Sequence, residues 1–404
     1  MNDPINLYNE IKAKNLKLDM SRGKPSPKQL DKIEGLLNVL TKSEDCYTKD
    51  GIDCRNYGNP DGIKDIKKVF AKMLDLNEDN ILVFGNSSLN IMFDLISKAW
   101  CFGICGEKPW GHQEKIKFLC PVPGYDRHFA ITEHFGIEMI NIPMDENGPD
   151  MDLVEQLTQN DESVKGIWCV PKYSNPTGIT FSDKTVKRFA ALKPAASDFR
   201  VFWDNAYCVH DLNDYSDNLL NILTEAEKHG NEDNFYIMTS TSKITFAGSG
   251  ISCLAVSRHN ADDVMKTFKI KTIGHDKINM LRHAKYLNYG ERIKEIMDEH
   301  KKIIKPKFDL CIEYFEKYLK NISGVSWSKP NGGYFINLNV PDQTAKKIVK
   351  LAQEAGLVLT PAGASYPYGI NPDDNSIRIA PTYPSSEELE EALKLLVVCV
   401  KLAV

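Results

Sequence analysis

Four side chains of types that do chemistry stand where short apolar runs stop: Asn175, Asp204, Tyr207 and Lys243. Lys243 follows Phe235–Met238 and a hydroxyl-rich stretch, Thr239–Ser242, and precedes Gly248 and Gly250. An unpaired ammonium is too costly to bury in a core. This lysine is therefore either a surface residue or a nucleophile tuned by desolvation and charged neighbours, able to form a Schiff base. Asp204 ends the run Phe202-Trp203, where a carboxylate must meet a cation to be buried, and Tyr207 can point its hydroxyl the same way. Asn175, in Ser174-Asn175-Pro176-Thr177-Gly178, is either an ordinary turn residue or an amide presented at a sheet edge.

Two further strand ends carry unusual loops. Gly85-Asn86-Ser87-Ser88 leads into a helix, so that N–H groups, two hydroxyls and a positive helix end converge; it suits an anion such as phosphate, or is a plain Ser cap. Cys120-Pro121-Val122-Pro123-Gly124-Tyr125 fixes an aromatic ring that can stack on a flat heterocycle, or that simply sits half-buried at a turn.

The elements that must position these loops are read from periodicity. Short apolar runs at 81–84, 116–120, 137–142, 166–170, 200–203, 235–238 and 251–256 predict strands, with helical stretches between several of them. Ile63–Leu74 has helical spacing, as do Leu89, Met92, Phe93, Ile96 and Trp100. Nearly continuous apolar strands alternating with helices predict an α/β fold whose mainly parallel sheet is covered by helices on both faces. A charged amphipathic segment, Glu291–Lys320, interrupted by Pro306, predicts linking helices and places the boundary of a second unit there. Beyond it, strands at 325–327, 334–338, 357–359 and 377–379 and a last helix over 386–400, started by Ser385 or Ser386, predict a small α+β domain.

Composition narrows the function classes. The chain has 404 residues, a net charge of −5 and a pI near 6.0, with no basic block, which argues against nucleic-acid binding. No signal peptide and no apolar stretch of membrane-spanning length is read, so a cytoplasmic protein is expected. The ten cysteines are scattered. Cys101 and Cys105 read as neighbours on a buried helix face rather than as ligands, and no metal site is expected. H-E-x-x-H, G-x-S-x-G, Walker A and full G-x-G-x-x-G motifs are missing from the sequence.

Taken together, Asn175, Asp204, Tyr207 and Lys243, in that order on predicted strand ends, resemble the class I and II (fold-type I) aminotransferases, which depend on pyridoxal 5'-phosphate. The motifs SRGKPS, NYGNPDG, GNSSLNIM, PVPGYDRHF, SNPTG, TSKITFAGSG, NGGYF and IRIAPTYP are most similar to a bacterial aspartate aminotransferase branch. The resemblance implies a large cofactor-binding domain over 51–295 and a small domain built from 1–50 and 296–404, with an N-terminal arm. Lys243 would hold the cofactor as a Schiff base and shuttle the proton, and Asp204 would pair with the pyridinium nitrogen. Asn175 and Tyr207 would bond the phenolic oxygen, and Tyr125 would stack on the ring. Asn86, Ser87, Ser88, Ser240 and Ser242 would hold the phosphate, with Tyr57 reaching it from the other subunit of a homodimer with shared active sites. Arg378 would clamp the substrate α-carboxylate; its apolar flanks, Ile377 and Ile379, favour that over a surface-strand arginine.

The implied activity is ping-pong transfer of an amino group between an amino acid, aspartate favoured, and a 2-keto acid, 2-oxoglutarate favoured. A carbon–sulfur β-lyase on the same scaffold is the nearest alternative, and a regulatory module the more distant one. A dicarboxylic substrate needs a further cation, for which Arg22, Arg127, His275 and Arg282 are candidates. One departure stands out. Many relatives carry an arginine eight or nine residues after the lysine, where this chain has Ile251 and Ser252, leaving the phosphate to hydroxyls and N–H groups.

Overall fold

In the computed structural model, which describes residues 3–404, the strands in chain order are β1 (Leu18–Asp19), β2 (Ile81–Val83), β3 (Lys117–Val122), β4 (Glu138–Asp145), β5 (Gly148–Pro149), β6 (Val164–Cys169), β7 (Arg200–Asp204), β8 (Phe235–Ser240), β9 (Ser252–Ala255), β10 (Ser326–Trp327), β11 (Ile336–Asn339), β12 (Leu357–Val358) and β13 (Ser376–Ile379). The large sheet has the order β2-β9-β8-β7-β6-β3-β4-β5. Its centre, β4-β3-β6-β7-β8, is parallel, and β9 is antiparallel to both its neighbours. The mainly parallel α/β sheet expected from the apolar runs is present. Parallel register sets Cys169 level with Trp203, and Asp204 level with Met238. The loops that leave β6, β7 and β8 therefore emerge side by side, at the carboxyl edge where ligands bind in such sheets.

Strand alternation divides the core into two layers. Ile167, Val201, Trp203 and Ile237 face one, and Phe118, Trp168, Phe202, Tyr236 and Met238 face the other. Helix Ser88–Phe102 packs on the second layer through Ile91, Met92, Leu95, Ile96 and Ala99. Phe93, expected on that stripe, is 40 % exposed. The stripe is rotated toward Ile91 and Leu95, and the Phe93 ring lies instead against His134 and Phe135.

Cys101 and Cys105 do not share a buried face. The helix ends at Phe102, and Gly103, at φ +75°, turns the chain where a Cβ would meet Glu107 O at 2.0 Å. Cys101 is exposed, and Cys105, beyond the turn, is half-buried with Arg200 Nη2 3.5 Å from its sulfur. All ten cysteines are free thiols, and no cluster able to hold a metal occurs among the described residues.

Both ends of the chain share a further core. Tyr8, Ile11, Leu18 and Met20 pack with Ile304, Phe308, Ile336, Ile377 and the last helix, Ser386–Ala403. Ile33 and Leu36 pack instead with the first layer of the large sheet. β10-β11-β13 form an antiparallel sheet and β1 pairs with β12 in parallel. The last helix starts with a reciprocal cap between Ser385 and Glu388. Pro306 does not interrupt the linking segment, which is one helix, Ile293–Tyr318. The proline removes an N–H donor, but the continuous buried face from Ile293 through Ile304 and Phe308 to Phe315 outweighs that loss.

Candidate active site

A cavity of ≈ 290 Å³ opens at the carboxyl edge of the large sheet, with Lys243, Asp204, Tyr207, Asn175, Tyr125, Ser87, Ser88, Ser240, Ser242, Arg22 and Arg378 all on its walls. Lys243 is half-buried, and its ammonium lies 5.0 Å from the Tyr207 ring centre and 5.9 Å from that of Tyr334. Burial pulls its pKa below the ordinary lysine value, while the Asp204 carboxylate pulls the other way. Asp204, 4 % exposed, is hydrogen-bonded through Oδ2 to His128 Nε2 at 3.0 Å; its Oδ1 is buried without a partner. A buried carboxylate oxygen left unmatched is uncommon. Burial raises the phenols of Tyr125, to about 12, and of Tyr207, so both keep their protons.

One end of the cavity is lined by hydroxyls. Ser87 caps helix Ser88–Phe102, accepting from Leu89 N at 3.2 Å, so the helix N-terminus points at the cavity. Ser240 and Ser242 exchange a hydrogen bond at 3.0 Å beside it.

Arg378 approaches from β13. Its side chain is 6 % exposed and lies over the Phe335 ring, 5.0 Å from the centre. Nη1 donates to Asp126 Oδ1 at 2.8 Å and to Asn175 Oδ1 at 3.3 Å; Nε donates to Thr360 Oγ1 at 3.2 Å. The Ser21–Lys24 arm covers this corner. Thr360 Oγ1 donates to Ser21 O and Thr382 Oγ1 to Lys24 O, and Gly23 sits so near Phe335 that a Cβ would lie 2.5 Å from its ring.

Residues 2–404 match the family model described as Aspartate amino-transferase. The chain belongs to this family. An aspartate aminotransferase of Corynebacterium glutamicum is 46% identical over 397 residues, covering 98% of this chain and 91% of the relative. The crystal structure of a putative aminotransferase from Corynebacterium diphtheriae superposes with a TM-score of 0.97 at 45% identity, covering 100% of this chain and 99% of that one. At 16% identity, an alpha-aminoadipate aminotransferase of Thermus thermophilus, complexed with N-(5'-phosphopyridoxyl)-L-leucine, shares the fold with a TM-score of 0.78 over 99% of this chain and 95% of that one. The protein is an aminotransferase.

Within this aminotransferase, several residues singled out in the sequence lie off the cavity. Asn86 is not on the cavity wall; its side-chain amide donates to Gly248 O at 3.2 Å, and its main-chain carbonyl accepts from Ser242 Oγ at 3.4 Å. Tyr57 is 81 % exposed and outside the cavity of its own chain. Among the cations considered for a distal carboxylate, Arg22 and Arg127 reach the cavity. His275 packs against Phe84, and Arg282 bonds Asn279 and Ser249. Ile251 and Ser252, the two positions considered for the missing arginine, are both buried, and Ser252 Oγ donates to Gly85 O at 2.8 Å.

Sequence reasoning missed His128, Asp126, Thr360 and Phe335. The signal for His128 was present: it follows Tyr125 by about one helical turn, so both side chains reach the same side of helix Asp126–His134, and it stacks on Trp168 with ring centres 4.5 Å apart. Thr360 carries no local signal, because only the tertiary fold brings it to Arg378. Two buried histidines, His210 and His300, also lie against the Lys243 main chain, with no well-formed hydrogen bond to any ring nitrogen.

Proposed function

We propose that the protein is a pyridoxal-phosphate-dependent aspartate aminotransferase, moving the amino group of aspartate to 2-oxoglutarate by a ping-pong cycle in the cytoplasm. The observation that carries this reading is the unpartnered Oδ1 of Asp204 in the same cavity as the half-buried Lys243 and the inward Arg378. A buried carboxylate oxygen without a donor suits a protonated ring nitrogen, so the residues present fit pyridoxal 5'-phosphate. When bound, that group supplies the electron sink for a carbanion at the amino-acid α-carbon.

The chain's own residues divide the remaining work. Lys243 Nζ would hold the cofactor in the resting site and, when free, would be the base that carries the proton from the substrate α-carbon; its lowered pKa leaves more of it unprotonated for that task. Asp204 would keep a proton on the ring nitrogen, and His128 holds Asp204 in place. Tyr207 and Asn175 would donate to the phenolic oxygen, and Tyr125 would support the ring face. Ser87, Ser88, Ser240, Ser242 and the helix N-terminus hold the phosphate, with Tyr57 of a second copy completing it in a homodimer. In this reading residues 51–295 form the cofactor-binding domain, and 1–50 with 296–404 the small one.

Arg378 takes the α-carboxylate. Arg22 and Arg127 support a dicarboxylic substrate: both open into the cavity, and neither has an ion-pair partner among the described residues. The similarity to the Corynebacterium glutamicum enzyme favours aspartate among such substrates. A panel of amino donors assayed against 2-oxoglutarate tests the reading. Aspartate should give the highest kcat/KM; ammonia released with no keto acid present would identify a lyase instead.

A further inference from the structure

We propose that Asp126 is a specificity-determining residue: its carboxylate holds Arg378 as a substrate α-carboxylate would, and substrate binds by displacing it. This rests on the reading of Arg378 as the α-carboxylate clamp. A guanidinium has five N–H donors. Arg378 gives Nε to Thr360 Oγ1, both Nη1 hydrogens to Asp126 Oδ1 and Asn175 Oδ1, and one Nη2 hydrogen to Ser21 O at 3.4 Å. A single Nη2 donor is left. Bidentate recognition of a carboxylate requires parallel donors, so an existing partner has to yield.

Asp126 is the partner that yields. Its bond, at 2.8 Å, is the shortest of the set and its charge the only negative one, so a substrate carboxylate arriving beside it would share one cation with a second anion. It is also the accessible member of the pair, with its side chain 32 % exposed against 6 % for Arg378. Asp126 occupies the first turn of helix Asp126–His134, where a carboxylate remains favoured by the helix N-terminus after release. The exchange filters ligands. A molecule carrying a carboxylate replaces what it removes, whereas an amine without one leaves the Asp126–Arg378 pair closed.

The test titrates the wild-type and Asp126→Asn holoenzymes with succinate, an unreactive dicarboxylate, by isothermal calorimetry, alongside steady-state kinetics. Asp126→Asn is expected to bind succinate roughly tenfold more tightly and to lower KM for aspartate and 2-oxoglutarate together. Asp126→Ser, which keeps a residue suited to a helix start, should move binding in the same direction. In an Arg378→Lys background the gain from Asp126→Asn should vanish. Unchanged or weaker succinate binding in both Asp126 variants, with Arg378→Lys still weakening it, overturns the displacement and leaves the clamp standing. If Arg378→Lys binds succinate as the wild type does, the clamp itself fails, and the proposal with it.

Discussion

Arg200 opens β7 and Asp204 closes it, both on one buried strand. At the Arg200 end the guanidinium donates to Phe199 O at 2.8 Å, Ser197 O at 3.3 Å and Asn260 Oδ1 at 3.1 Å, and lies over the Tyr236 ring. Nearby, buried Lys98 donates to Asp263 Oδ2 at 2.6 Å and Gly103 O at 2.8 Å, and Lys165 to Asp198 Oδ1 at 2.6 Å. At the Asp204 end one carboxylate oxygen meets His128 and the other meets nothing, while Lys243 Nζ makes no hydrogen bond among the described residues. The same strand thus supports two uses of buried charge. Where polar groups saturate one another they fix the fold, and where they are held one bond short they are available to a ligand.

Breaking the reactive end should abolish chemistry and spare the fold. Lys243→Ala is expected to lower turnover by about 10,000-fold or more, since a nucleophile and base acting as a unit are lost together. Borohydride reduction of the cofactor-loaded wild type, followed by peptide mapping, should label Lys243; labelling at another lysine removes it from this role. Asp204→Asn should lower kcat by about 100- to 1,000-fold with every amino donor, because it withdraws charge from where the transition state needs it. Thermal denaturation of both variants should stay close to the wild type.

Breaking the saturated end should do the reverse. Lys98→Met leaves Asp263 buried with the Cys105 N–H and, at 3.9 Å, the exposed Lys266 ammonium, and breaking a buried pair by removing one partner costs about 3–5 kcal/mol. Urea denaturation should register that loss, while kcat measured on the folded fraction stays at the wild-type level. A Lys98→Met variant with normal stability but impaired turnover would erase the distinction between the two ends. A milder test concerns Arg378, which shares features of both, being buried and bonded yet facing the cavity. Arg378→Lys keeps charge and loses the planar fork. KM should rise for donor and acceptor alike by about 10- to 100-fold, as expected for a charge-assisted bond worth about 1.5–3 kcal/mol.

The difference between the ends also explains what was legible in the sequence. Asp204, Lys243 and Asn175 announce themselves because a polar residue at the end of an apolar run breaks a pattern, and the large sheet was readable for the same reason, from Ile81–Val83 to Ser252–Ala255. Which partner each of them meets was not readable, even where, as at His128, the residue itself carried a local signal. His128 reaches Asp204, Asp126 and Thr360 reach Arg378, and Gln29 reaches Tyr334 only through tertiary contacts between distant segments. Helix continuity through Pro306 was hidden likewise, since the buried face that sustains it is supplied by the last helix and the N-terminal arm. Local chemistry shows which groups are unusual, and the fold decides which of them are satisfied.

The smallest expected effect separates burial from hydrogen bonding in the same terms. His283 is saturated, with Nε2 2.9 Å from Thr245 Oγ1 and Nδ1 2.8 Å from Asn279 O, whereas His300 makes no well-formed bond at either ring nitrogen. Both are pushed down from 6.5 to about 4, chiefly by burial, with main-chain contacts opposing the shift in each case. Between those values the unfolded chain binds protons that the folded one does not, so stability is full above pH 6.5 and is lost as the pH falls toward 4. Each histidine should cost on the order of 2 kcal/mol between pH 7 and pH 5. Because desolvation leads in both, the saturated and the unsaturated imidazole should behave alike. Urea unfolding of His283→Phe and His300→Phe at pH 7, 6 and 5 measures this through the slope, whatever each substitution does to absolute stability. Each variant should flatten the pH dependence by about 1.4 kcal/mol per pH unit near pH 5, one proton's worth. A variant that keeps the wild-type slope would mean that its imidazole is already charged in the fold, and for His300 that would place a cation against the Lys243 main chain.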